Sequence, residues 1–368
     1  MLVRDVEHIL ESWAPKEVAW ERDNVGLQVG SHDKRVRKIL VALDASEEIV
    51  LEAKKKNVDL VVTHHPLLFR PPKSITPSDR IGNIVLNLIQ NDIALYSAHT
   101  NLDFAAGGVS FALAEQLGLK NITFLVNGQN YLRKIAVFVP TAYIEKVTEA
   151  LSSAGAGVIG KYDHCSFRTE GTGTFRGGED AKPFLGKIGN LEQVPEVRLE
   201  MIVPRWKVPE VVESMRSAHP YEEIAYDIYP LENESLNYGM GALGDLQNGV
   251  TLKNFLEGVK EALSMQSVRF VGDPQQRIQS VAVCGGSGSE LLPAAIHRKA
   301  DAFVTADVKY HTFESARGKI ALIDAGHFET EEPSLRRLVS HLQDQIARRK
   351  EDVQVLRTSI NTNPVQYY

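Results

Sequence analysis

The chain has 368 residues, of which 43% are hydrophobic and 24% charged, and its formal net charge is −6. This is the make-up of a globular protein of one or two domains with ample core, and it lacks the basic footprint of a general nucleic-acid binder. Two cysteines, Cys165 and Cys284, leave no disulfide framework and suit a reducing, cytoplasmic setting, and no apolar run approaches the roughly 20 residues a membrane helix needs.

The opening "MLVRDVEHILESWAP" mixes acids with apolar residues and reads as an amphipathic helix, not a targeting segment. From Lys38 the pattern alternates. "KILVALDAS" predicts a strand, 47–56 a helix, "DLVVTHH" a strand, 80–90 a helix, "IALYSAHTNLD" a strand and 108–117 a helix. Such alternation is the signature of βαβ units in a largely parallel sheet.

The middle of the chain holds a repeat. "KIAVFVPTAYIEKVTEALSSAG" from Lys134 is echoed by "RLEMIVPRWKVPEVVESMRSAHP" from Arg198, with Val139-Pro140 matching Val203-Pro204 at an offset of 64 (203 − 139). Each copy predicts a strand, a Val-Pro turn and an amphipathic helix, and strand-like segments follow both, "CSFRTEGTGTF" and "EIAYDIYPL". Two such halves describe a ferredoxin-like α+β module. Beyond it the first pattern resumes: "SVAVCGGSG" as strand and turn, 289–299 a helix, "DAFVTAD" and "KIALIDAGH" strands, 334–349 a helix, "DVQVLRTS" a final strand. The expected architecture is a discontinuous α/β domain, residues 1–129 and 232–368, carrying the ferredoxin-like module at 130–231 as an insertion.

Several of these strands end in metal-binding chemistry. "DLVVTHH" finishes in His64-His65, "IALYSAHTNLD" in His99 and Asp103, "DAFVTADVKYH" in Asp307 and His311, and "KIALIDAGHFETEE" in Asp324, His327 and Glu331. Parallel strands bring their carboxyl ends to one edge, where ligands bind in open α/β sheets. Imidazoles and carboxylates without thiolates favour Zn, Fe or Mn. Neighbours on a strand point to opposite faces, so His64 and His65 share a site only if the chain leaves strand geometry, which Pro66 assists. Two neighbours suit two ions better than one, with Asp103 or Glu331 bridging a pair about 3.5–4 Å apart. His327 and Glu331 are four apart, but Pro333 is tolerated only in a first helical turn; a helix opening near Thr330 is therefore expected, with His327 in the turn before it.

The motifs "DNVGLQVG" (23–30), "THHPLLF" (63–69), "SAHTNLD" (97–103), "GHFETE" (326–331) and "NTNP" (361–364) resemble the Nif-three-like family of dinuclear-metal proteins, commonly named type 2 homologues of GTP cyclohydrolase I. The inserted segment looks like the PII-like or CutA-like module of its longer bacterial members. What the resemblance implies is two divalent metal ions per subunit held by His64, His65, Asp103, His327 and Glu331, and a toroidal homohexamer with its metal sites facing an internal cavity.

Two glycine-rich stretches are set aside. "GMGALG" (239–244) fits the dinucleotide fingerprint but has a polar loop before it, and reads as a glycine turn where chains pass closely. "CGGSGSE" (284–290) reads as a tight strand-to-helix turn with Ser289 as helix cap and Cys284 buried, offering at most a weak anion perch. The function expected is a metal-dependent hydrolase acting on a nucleotide or phosphoester through a metal-bridging water, with His99 or His311 moving protons. The alternative is a non-catalytic metal carrier, insertase or sensor.

Overall fold

The computed structural model describes residues 1–366, and the chain divides into two compact units, one formed by Met1–Asn127 with the stretch from Asn237 onward, the other by Gly128–Leu236. No helix among the described residues is long and apolar enough to cross a membrane.

In the first unit the strands form two sheets. The five-stranded sheet runs Gly26–Val29, Ala94–Ser97, Leu60–Thr63, Lys38–Ala42, Gln354–Arg357, with only the first strand antiparallel to its neighbour. These strands are short, and the three central ones are buried along nearly their whole length, as expected of strands covered on both faces. Alternation sorts their side chains. Ile39, Val41, Leu60, Val62 and Tyr96 pack with Val6, Ile9 and Leu10 of the Val3–Trp13 helix, and with Leu335, Leu338, Leu342 and Ile346 of the Pro333–Arg348 helix. Leu40, Val61 and Leu95 face the opposite layer, the helices Glu47–Lys55 and Arg80–Gln90. Ser46 and Asp79 cap those two helices by accepting the backbone N–H of Ile49 and Gly82.

The second sheet has six strands in the order Arg269–Val271, Ala321–Asp324, Ala302–Ala306, Arg277–Ser287, Ser235–Thr251, Lys120–Gly128. Its second to fourth members are parallel to one another, and the Arg269–Val271 and Ser235–Thr251 strands on either side of them are antiparallel. The parallel strands anticipated for a single sheet are thus shared between two, and the final strand crosses back to pair with Lys38–Ala42 in the first. "GMGALG" lies inside the long Ser235–Thr251 strand, not in a turn; a Cβ on Gly239 would stand 2.4 Å from the carbonyl oxygen of Val126, so the close approach is real.

The second unit is ferredoxin-like. Its strand order is Phe167–Arg176, Leu191–Pro204, Leu132–Pro140, Tyr226–Pro230, antiparallel throughout, with helices Ile144–Ser153 and Val208–Ala218. Both halves of the repeat fold alike. Pro140 and Pro204 each end a strand and lead through a 3-10 turn into a helix, while Val139 and Val203 are fully buried in one core with Val147, Leu151, Val211 and Met215.

Candidate metal centre

The carboxyl ends of the Leu60–Thr63 and Ala94–Ser97 strands of the first sheet meet those of the second sheet within the first unit. At the end of Leu60–Thr63, the Thr63 hydroxyl donates to the carbonyl of His65 at 2.8 Å, a two-residue turn that takes the chain out of strand geometry. Consequently His64 and His65 lie side by side, ring centroids 5.0 Å apart, instead of on opposite faces. His327 comes within 5.4 Å of His65, and His99 within 5.3 Å of His64.

Every one of these imidazoles has its Nδ1 committed to a partner. His64 donates to the carbonyl of Ala98 at 2.8 Å, His65 to Asp44 at 2.8 Å, His99 to Asp23 at 2.8 Å and His327 to Asp307 at 2.7 Å. With Nδ1 so engaged, Nε2 is the free ligand nitrogen, the arrangement that orients metal-binding histidines generally. The inward Nε2 atoms surround Glu331, whose Oε1 lies 3.1 Å from His327 and 3.7 Å from His64, and whose Oε2 lies 3.0 Å from His65. Asp103, from the short Thr100–Asp103 helix, puts Oδ1 at 3.6 Å from His64 Nε2. The sets His64–His65–His99 and His65–His327–Glu331 each offer ligand atoms within 4.8 Å of one another, so each could hold a metal ion.

Whether a cation suits this cluster is tested by its unsatisfied atoms. Among the described residues, His64 Nε2, Asp103 Oδ1 and Glu331 Oε2 are buried without a hydrogen-bond partner. His64 is 0% and Glu331 4% exposed. Three orphaned atoms converging on one spot would be costly in a closed core, and a divalent cation satisfies all of them at once. The residues fit.

The proton balance agrees. Burial alone would depress His65, but the hydrogen bond to Asp44 and the adjacent Glu331 carboxylate outweigh it and lift its pKa to about 10. The Glu331 contact, against burial, raises His327 to about 9. His64 is raised despite its burial by the charges of Asp103 and Glu331. Burial pushes Asp103 up, whereas Glu331 is held well below the carboxylate range, against its burial, by the histidines around it. The carboxylates favour protonated imidazoles here, so a cation would bind by displacing protons.

The local sequence explains the placements. Gly326, at φ 72°, turns the chain directly into a helix at His327–Glu331. The expected helix start near Thr330 is therefore corrected: His327 and Glu331 share a helical face. Glu332 keeps helical dihedrals, and Pro333 then opens the Pro333–Arg348 helix, its missing N–H breaking the ladder without turning the chain. "CGGSGS" is no anion perch; Gly286 lies against the cluster, where a Cβ would come 2.2 Å from Glu331 Oε1. Ser289 does not cap its helix, and its hydroxyl is buried without a partner among the described residues.

Other motif residues brace the histidines. Thr362 of "NTNP" donates to Asp44 at 2.6 Å, and Asn363 to Glu329 at 3.0 Å. Asp23 of "DNVGLQVG" takes His99, and Gln28 takes the Leu68 N–H at 2.9 Å, tying down the segment after His65. Asp23 and Asp44 escaped sequence reasoning, because nothing local links them to a histidine tens of residues away. His311, expected as a proton carrier, is 90% exposed and pairs with Glu314. Asp324 instead binds Arg269 and the Val308 N–H. Beside His65 and His327 a cavity of about 420 Å³ opens, lined also by Asp307, Arg269, Phe328 and Asn363.

Comparisons with known proteins cover the whole chain. Residues 1–364 match the family described as Duf34/NIF3 (NGG1p interacting factor 3). A Bacillus subtilis (strain 168) protein named GTP cyclohydrolase 1 type 2 homolog is 40% identical over 369 residues, covering 99% of this chain and 98% of that protein. Among solved structures, a Bacillus cereus protein related to NIF3 superposes with TM-score 0.88 at 40% identity, covering 100% of this chain and 99% of that one. A Staphylococcus aureus protein superposes with TM-score 0.82 at 33% identity, with the same coverage of 100% and 99%.

Proposed function

The chain belongs to the Duf34/NIF3 family, and from that premise we propose that it is a dinuclear metal protein, with His64, His65, Asp103, His327 and Glu331 as ligands, that hydrolyses a nucleotide or phosphoester. The observation that carries the reading is the convergence of Nε2 atoms and orphaned carboxylate oxygens around Glu331. Nitrogen and oxygen donors without thiolate favour Zn, Fe or Mn. When bound, a pair of divalent cations supplies Lewis acidity and lowers the pKa of water to near neutrality.

The remaining steps belong to side chains of this chain. Glu331, with one oxygen toward His327 and the other toward His65, would help hold the metal from both sides of its carboxylate. Asp44 and Asp307 hold the rings of His65 and His327 so that only Nε2 is offered. His99, fixed by Asp23, stands beside His64 and His65 as the base or acid that takes and returns a proton. The adjoining cavity, about 420 Å³, is of a size to admit a small substrate next to His65 and His327. A toroidal homohexamer and a cytoplasmic location belong to the same reading, and light scattering checks the first.

A second reading, a metal carrier, is favoured by the rim position of His327, whose side chain is 38% exposed and offers an ion a way in and out. One experiment separates them. The protein is purified without added metal, its bound ions are quantified, and nucleotides and phosphoesters are screened with wild type and Asp103→Ala. Bound metal with turnover that disappears in the variant supports the hydrolase. Absence of turnover, together with metal transfer to an apo-acceptor, overturns it in favour of the carrier.

A further inference from the structure

The second unit has a cavity of its own, and nothing in the metal reading uses it. Ile135, Val137 and Val139, with Leu199, Met201 and Val203, pack beneath the two helices. The alternate residues Phe138, Glu196 and Arg198 therefore face the other side of the sheet. There a cavity of about 600 Å³ is lined by these three and by Gly171, Phe175, Phe184 and Tyr221.

Glu196 is the anomaly of this cavity. The residue is 8% exposed, yet no cationic side chain pairs with it among the described residues. Tyr221 donates its hydroxyl to Oε1 at 2.9 Å, which supplies a hydrogen bond but no charge. The nearby His219 is committed as a neutral ring, donating from Nε2 to the Phe138 carbonyl and accepting the Tyr221 N–H at Nδ1. Glycine makes room for the carboxylate: a Cβ on Gly173 would stand 2.1 Å from Oε2, and one on Gly171 would meet nothing within 4 Å. A buried carboxylate without a countercharge is unfavourable unless something positive arrives.

The walls say what kind of cation. Phe175 and Phe184 stand 6.1 Å and 6.3 Å from Tyr221, ring centre to ring centre. Aromatic rings attract alkylammonium ions through their quadrupoles, whereas hydrated metal cations demand several oxygen ligands. Glu170, Glu222 and Glu223 line the cavity too, against two guanidiniums, Arg176 and Arg198, of which Arg198 is already paired with Glu200 at 2.9 Å. An anion is thus disfavoured.

We propose that this cavity binds a small organic ammonium ion, seated on Glu196 among the rings of Phe175, Phe184 and Tyr221. The test titrates the full chain calorimetrically with choline and butylammonium, and with 3,3-dimethylbutanol, the uncharged isostere of choline. Saturable binding of at least one ammonium ion is expected, weakened about tenfold or more in the isostere and in Glu196→Gln. Phe184→Ala, at an exposed loop position, weakens binding severalfold while leaving the melting temperature unchanged; it carries the test if Glu196→Gln fails to fold. The idea is overturned if neither ammonium ion binds, if the isostere binds as well as choline, or if binding survives both substitutions.

Discussion

The four clustered histidines owe their usefulness to atoms that face away from the cluster. Each Nδ1 is held by a carboxylate or a carbonyl, which fixes the tautomer and aims Nε2 inward. Asp44→Asn removes the charge behind His65 while keeping the shape. Metal affinity measured by chelator competition is expected to fall about 10–100-fold, with the fold intact by circular dichroism; unchanged affinity would show that Asp44 merely packs. Histidine type and strand-end position were legible from sequence, since His64, His65 and His327 announce themselves. The carboxylates behind His65 and His99 were not, because Asp23 and His99 meet across 76 positions and Asp44 and His65 across 21. A different histidine is expected to make the second unit acid-sensitive. Burial lowers the pKa of His219, against the carbonyl of Phe138 and the charge of Glu196. Between this lowered value and the ordinary one near 6.5, the unfolded chain binds more protons than the folded one, so stability rises with pH across that window and is lost as pH falls through it. Urea titrations from pH 7 to 5 should show this loss, and His219→Gln should flatten it.

At the scale of elements, the short buried strands and amphipathic helices were readable because burial on both faces demands uninterrupted apolar runs, as in Leu60–Thr63, and burial on one face demands helical spacing, as in Leu335, Leu338 and Leu342. What misled was the helix carrying His327 and Glu331. Pro333 marks a break in hydrogen bonding, and only dihedral angles reveal that the chain remains helical through Glu332. The start is set by Gly326, at φ 72° and ψ 142°, a conformation that L side chains resist. Gly326→Ala is expected to cost about 1–3 kcal/mol in equilibrium unfolding and to weaken metal binding, since it misaims His327. If stability and affinity are both unaltered, the turn does not govern the site. The edge strand Lys120–Gly128 and the long strand Ser235–Thr251 are not evident from the sequence for another reason: both are mixed in polarity, the second is also rich in glycine, and their strand character comes from pairing with neighbours.

For the whole molecule, the first unit places its cluster where the rims of two sheets meet: His64, His65 and Asp103 come from one, and His327 and Glu331 follow the other. Metal bound there would tie the sheets together, and a ligand that binds only the folded state stabilises it by mass action. Exhaustive chelation should therefore lower the melting temperature of this unit. Restoring metal to about a hundred times its dissociation constant should return about 2.7 kcal/mol; a melt indifferent to chelator would argue that no ion belongs there. From the sequence alone come the α/β class, the ferredoxin-like insert read from an offset of 64, and the family that the motifs resemble, because periodicity, repeats and short motifs are local properties of the chain. Tertiary structure decided that the parallel strands divide into two sheets, that Gln354–Arg357 returns to the first, and that Glu331 rather than Asp103 stands at the centre of the imidazoles. These are questions of which distant segments pair, and pairing is settled by packing between segments whose separate patterns are alike.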